Sequence, residues 1–152
     1  MFNELGAWYS IADGDPVARD LFSRHYSHYV YKDGRKPKKF VGPGEYMALM
    51  TSDCRALFVW RKFISADGQQ GVNCAIFRNE GNMKSSTLIR EACQLAWQRW
   101  SGARLYTYVN PRAVRSGNPG YCFKMAGWKK CGVTKTRKLL IFEMLPEFEA
   151  GR

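Results

Sequence analysis

LYTYVNPRAVRSGNPGYCFKMAGWKKCG, residues 105–132, decides the fold. Its opening run, Leu105 to Val109, is β-branched and aromatic and predicts a buried strand. Asn110-Pro111 ends that strand, because proline gives no amide to a ladder and biases Asn110 toward an extended conformation. Asn118-Pro119-Gly120 then opens a short helix, with Asn118 as N-cap and Pro119 suited to the first turn. Gly127 stops the helix where a left-handed residue is needed, Trp128 packs back over it, and a second strand follows. A strand ending on a polar residue and followed by a short helix leaves a crevice at its open end, into which the helix aims side chains.

Outward from this stretch the elements alternate. Asp15 to His28 is predicted helical, with Val17, Leu21 and Phe22 on one side and Asp13 or Asp15 as cap. Glu45 to Thr51, Ala56 to Ile64 and Val72 to Phe77 are expected strands, parted by Ser52-Asp53 and Ala66-Asp67-Gly68 turns. Ser85-Ser86 caps a helix running to Trp100, and strands Trp128 to Val133 and Lys138 to Met144 complete the chain. Strands meander in the first half and alternate with helices in the second. That order implies an α/β (α+β) chain built on a central mixed, mostly antiparallel sheet flanked by helices.

The chain of 152 residues is expected to be a single domain, spanning 1–152 and burying roughly two thirds of its unfolded surface. No run of apolar residues is long enough for a membrane span. The N-terminus lacks a basic region and a long apolar core, so it does not resemble a secretory signal. Five cysteines (Cys54, Cys74, Cys93, Cys122, Cys131) form no C-x-x-C pair and sit in apolar neighbourhoods. They predict buried thiols in a reduced, cytoplasmic protein.

Net charge is +11 and unevenly spread. Between Glu91 and Glu143 there is no acid, while Arg99, Arg104, Arg112, Arg115, Lys124, Lys129, Lys130, Lys135, Arg137 and Lys138 supply ten cations. A second cluster, Lys32, Arg35, Lys36, Lys38 and Lys39, lies in a Gly/Pro-containing loop. Such one-signed stretches repel themselves unless a polyanion offsets them. Nucleic acid is the first such partner and a phosphorylated cofactor the second, against a merely solvated surface.

The element order is that of the GCN5-related N-acetyltransferase (GNAT) fold, which the chain resembles over roughly residues 45 to 144. NPGYCFKMAGWKKCG resembles that superfamily's C-terminal signature, an asparagine-led helix ending in aromatic-x-x-x-Gly-aromatic. Arg78-Asn79-Glu80-Gly81-Asn82-Met83 resembles part of its pyrophosphate-binding loop, with Met83 where glycine or alanine is usual. The resemblance implies acetyl-CoA or another acyl-CoA held by Arg78, Asn79, Gly81, Asn82, Met83, Ser85 and Ser86 at a helix N-terminus. The chain is also similar to phage-encoded DNA-modifying proteins of the Mom type, in His25-Tyr26-Ser27, Arg78 and Tyr108-x-Asn110-Pro111…Gly120-Tyr121. That similarity implies an amine on a nucleobase of DNA as acceptor. The Mom-type pattern has an acid where this chain has Asn110, whose carboxamide would instead orient a base edge or substrate amide.

These resemblances set the candidate residues. A tyrosine on the short helix would protonate the departing thiolate. Alignment on Ala126-Gly127-Trp128 puts Phe123 in that slot, leaving Tyr121 either to act from the helix mouth or to pack with its hydroxyl at the surface. His25 is a candidate base beside Tyr26, or a histidine packed on Tyr26 and Tyr29. His25 and His28 lack further ligands for a metal. Arg78 would face phosphate or pair with Glu80 at the strand end. Arg112, Arg115, Lys36, Lys38 and Lys39 are the expected DNA contacts. Two alternatives stand beside DNA modification: a small-molecule or protein N-acetyltransferase, and a non-catalytic phage nucleic-acid-binding protein on the same fold.

Overall fold

A computed structural model describes residues 3–24, 39–65, 67–113 and 117–146, the first three by backbone alone. Its elements run β1 (Asn3–Leu5), β2 (Trp8–Ile11), α1 (Pro16–Ser23), β3 (Glu45–Thr51), β4 (Ala56–Lys62), β5 (Val72–Asn79), α2 (Ser85–Arg99), β6 (Leu105–Val109), α3 (Tyr121–Met125), β7 (Lys129–Val133) and β8 (Leu140–Met144). The strands form one open sheet in the order β1-β2-β3-β4-β5-β6-β8-β7. Every neighbouring pair is antiparallel except β5 and β6, which α2 joins as a parallel crossover. Among the described residues no helix is long and apolar enough to cross a membrane.

Period-two burial gives the sheet two packed faces. On one, Phe58, Trp60 and Leu105 meet Leu88, Ile89 and Ala92 of α2. On the other, Leu57, Val59 and Ile76 meet Ala18, Leu21 and Phe22 of α1, with Phe40 and Val41 beside them. Asp15 caps α1 by accepting from the amides of Val17 (3.0 Å) and Ala18 (3.1 Å). Asp13 does not cap the helix. It accepts from the Phe40 (2.8 Å) and Val41 (3.2 Å) amides and so clamps the segment before β3 onto this face.

Several expectations need correction. Val17 is exposed, because Ala18, Leu21 and Phe22 set the buried stripe at i, i+3, i+4 and Val17 falls one position outside it. Ser85 and Ser86 do not cap α2; Lys84 stands at the cap position without a side-chain bond, and Asn79 Nδ2 draws the Ser85 hydroxyl to itself at 2.9 Å. Gly120, not Asn118, precedes α3, at φ +81°. There a Cβ would lie 2.5 Å from the buried ring of Phe142, so the chain must turn at a residue without one. Asn118 instead accepts from Lys124 Nζ at 2.7 Å. Cys74 and Cys93 are buried, but Cys54 and Cys131 are exposed, one at the β3–β4 turn and one on an outer strand.

Candidate functional site

The parallel pair does not stay together. β5 and β6 pair at Val72–Leu105, Asn73–Tyr106 and Cys74–Thr107, yet β5 runs five residues further, to Asn79. A bulge marks the place: Val59 faces Ile76 and Trp60 faces Cys74 across β4, leaving Ala75 without a counterpart. The Thr107 hydroxyl donates to the Cys74 carbonyl at 2.9 Å, so a side chain makes the last link between the strands.

On the α2 face the gap is bridged by rings. Phe77 meets Phe123 edge-on with centroids 6.1 Å apart, and Phe123 meets Trp128 at 4.9 Å. On the α1 face it opens into a cavity of about 460 Å³ between Phe22, Val41, Cys74, Ala75, Tyr108 and Asn110. A second cavity of about 860 Å³ adjoins it beneath the β7–β8 hairpin; both are lined by Arg61, Asn73, Tyr108, Arg137 and Leu139.

The polar groups along this trough are arranged by the strands. Asn110 accepts from the Arg112 amide at 3.0 Å through its carboxamide oxygen, so its amide nitrogen is the end left to donate. The Tyr108 hydroxyl donates to Asp67 at 2.7 Å. Burial, then that bond to Asp67, push the Tyr108 hydroxyl up. Burial opposes ionisation of Asp67, but the Tyr108 and Ser65 hydroxyls outweigh it and hold the carboxyl below its ordinary range. Arg61 donates from Nη1 to the Val41 carbonyl at 3.1 Å and lies over the Phe63 ring at 3.7 Å. Burial lowers its pKa. Beside it Asn73 is 5 % exposed. Of these groups, Arg61, Asn73 and Asp67 lay outside the residues expected to form a site. The signal available was a polar residue inside the apolar run VNCAIF, opposite an arginine inside ALFVWRKF.

The loop between β5 and α2 is engaged with itself. Glu80 accepts from Arg24 Nε at 2.6 Å and from Arg78 Nε at 2.9 Å, so Arg78 is a strand-end ion pair. Gly81 N donates to Asn79 Oδ1 at 3.0 Å, and Asn79 Nδ2 to the Met83 carbonyl at 2.8 Å. Met83 is 42 % exposed. Gly81, Asn79 and Met83 line a cavity of about 100 Å³ with Asp53 and Leu88, and it shares no lining residue with the one at Asn110. What this region offers an anion is the first turn of α2, with no side-chain cap; the Ser86 hydroxyl beside it is buried and has no partner among the described residues.

The Arg24 hydrogen bond, followed by that of Arg78 and opposed by burial, holds the Glu80 carboxyl down to about 2. A carboxylate so depressed contributes stability that is fully present above its unfolded value near 4.5 and is lost as pH falls toward about 2. Melting temperature is therefore expected to fall less steeply between pH 5 and 2.5 in Glu80→Gln than in the parent chain. Parallel curves would show that the two arginines contribute nothing.

Other expected site residues lie elsewhere. Tyr121 is 54 % exposed at the start of α3 and lines none of these cavities. Arg112 is exposed and donates to the Arg137 carbonyl, tying the β6 end to the β7–β8 hairpin; Lys39 is exposed, and so is Asn82. His25, Tyr26, Arg115, Lys36 and Lys38 lie outside the described residues. Among the described residues no group of three or more His, Cys, Asp or Glu is placed to hold a metal. Compared with known proteins, the chain matches no family model, and no curated protein or solved structure is significantly similar to it.

Proposed function

We propose that this chain is a GNAT-like group-transfer enzyme of phage type that modifies an amine on a nucleobase of DNA. The observation that carries the reading is the parting of β5 from β6, after which Tyr108, still paired with Ile141 of β8 on its other side, and Asn110 line a cavity. Support for the fold assignment is the meander β3–β4–β5 followed by α2, β6, α3 and the closing β7–β8 hairpin.

The donor class is an acyl-CoA, acetyl-CoA included. Its diphosphate fits the first turn of α2, whose amides have no side-chain cap. Bound there, it would supply an activated acyl carbonyl. The chain's own part is to hold the acceptor. Phe22, Phe40 and Val41 wall the cavity and keep water from a bound amine, and the Asn110 amide can donate to a base edge. Beyond the ladder, the β5 backbone from Ala75 to Asn79 has no β6 partner and offers amides and carbonyls to an extended arm. The acid-free stretch between Glu91 and Glu143 draws a polyanionic acceptor toward the protein.

Mass spectrometry of nucleosides from DNA of cells expressing the protein tests this reading. One nucleoside is expected to gain mass, and Asn110→Ala is expected to reduce that product at least tenfold. Unaltered nucleosides with the parent chain would sink it. A second reading, a non-catalytic nucleic-acid-binding protein, is favoured by one observation: Glu80 pairs with Arg78, the arginine that the diphosphate would otherwise meet. It predicts DNA affinity that falls steeply with salt, without any modified nucleoside. A small-molecule or protein N-acetyltransferase predicts the reverse: acyl transfer with DNA binding indifferent to salt or absent.

A further inference from the structure

We infer that Arg61 and Asn73 together form a reading site for the amino-bearing edge of a nucleobase, a base with an exocyclic N–H beside a ring nitrogen. The inference rests on the nucleobase reading above and names the groups that would recognise the base. Arg61 and Asn73 are direct cross-strand partners on β4 and β5, and both line both cavities of the trough at their junction. Arg61 Nε and Asn73 Oδ1 are each buried with no hydrogen-bond partner among the described residues. One is a donor and the other an acceptor, on residues paired across two strands.

Buried polar atoms are almost always satisfied, so two exceptions on paired residues that line the same cavities call for a third party. A leucine at position 73 would pack against the same neighbours without that penalty. The arginine, meanwhile, is fixed in place. Its Nη1 is held by the Val41 carbonyl at 3.1 Å and its plane by the Phe63 ring at 3.7 Å. Gly42, at φ +93°, leaves it room, since a Cβ there would lie 2.1 Å from Nη1. A guanidinium held this way is prepared for a partner and does not wander toward Asn73.

The partner must present a donor to Asn73 Oδ1 and an acceptor to Arg61 Nε a short distance apart. An exocyclic amine next to a ring nitrogen does so in one plane. The larger cavity continues from this point past Thr134, Lys135, Thr136 and Arg137, hydroxyls and cations suited to the sugar and phosphate that follow a base. A base drawn out of its stack into the smaller cavity, its backbone lying along the hairpin, satisfies both sets of groups.

Fluorescence anisotropy tests this with three single-stranded thymidine oligomers, carrying one central adenine, one central cytosine, or one central purine that lacks the amine. The parent chain is expected to bind the adenine or the cytosine oligomer at least tenfold more tightly than the amine-free one. Asn73→Leu is expected to bring that ratio to within twofold, while keeping the same salt slope and melting no lower than the parent. Asn73→Asp, which keeps an acceptor, is expected to retain part of the preference. Absence of a preference in the parent, or its survival in Asn73→Leu, would overturn the inference. The nucleoside analysis keeps the two readings apart. A preference without any modified nucleoside leaves this site standing and removes the transferase. Full modification by Asn73→Leu removes this site and leaves the transferase standing.

Discussion

Replacing Lys135 and Arg137 by alanine together is expected to reduce the salt dependence of DNA binding by about 2 in log–log slope, at about 0.9 for each phosphate no longer neutralised. The β7–β8 hairpin presents Lys129, Lys130, Lys135, Arg137 and Lys138, all exposed, and its one acid, Glu143, is paired with Arg104. If each meets one phosphate, the parent slope is about −4.5, so affinity falls roughly 500-fold between 50 and 200 mM salt. Lys135 and Arg137 line the larger cavity, whereas Lys129 and Lys130 lie on the outer strand, so the first pair reports on the trough itself. Titrations of a labelled duplex and a labelled single strand at four salt concentrations give the slope. A parent slope near zero would show that the hairpin meets no nucleic acid, and an unchanged slope in the double variant would move the phosphate-binding surface elsewhere.

Phe123→Ala is expected to cost about 3–5 kcal/mol of stability, as large-to-small changes of a buried aromatic residue do. For a chain of this size that is a fall in melting temperature of about 6–20 °C. Phe123 is buried, and its ring joins Phe77 on β5 to Trp128 at the start of β7, filling the α2 side of the gap where β5 and β6 separate. Removing it leaves the parted strands with a void on one face and a cavity on the other. Phe123→Leu, which keeps most of the volume, should cost much less. Equal losses for the two variants would show that packing against the ring's outer carbons is not what holds the gap. Phe123→Tyr, which would supply the hydroxyl that the GNAT-like signature expects, would bury an O–H against Phe77 and Trp128 at about 1–3 kcal/mol.

Much of the fold could be read directly. Glu45–Thr51 and Leu105–Val109 stand as expected, because continuous apolar and β-branched runs between turn residues have few other solutions. Gly127 has the left-handed φ of +97° that its position required. The hairpin of β1 and β2 was not legible: WYSI is short, and its pairing with Glu45–Thr51 is a contact across some forty residues. Helix starts were misplaced for a shared reason. Ser85 and Asn118 have capping chemistry, but Asn79 and Lys124 compete for their oxygens, and the Phe142 ring forces glycine at 120.

Of the residues that line the trough, only Asn110 was among the expected site residues, since its strand-ending position is local. The trough around it is assembled from β4, β5 and the β7–β8 hairpin, residues far apart in the chain. A single asparagine in an apolar strand looks like a tolerated exception until the bulge at Ala75 places it at the edge of the opening. The separation of the Gly81 cavity from that of Asn110 could not be read at all, since it depends on which face each strand end turns toward.

The outermost position of β7 bears on solution behaviour. A strand with one side unpaired is a template on which another copy of the chain can add. Lys129 and Lys130 stand on that border and repel their counterparts on an approaching molecule, so the cations that would grip a polyanion also keep copies of the protein from zipping together. At high ionic strength that guard is screened, and self-association through this border becomes the expected failure of concentrated samples.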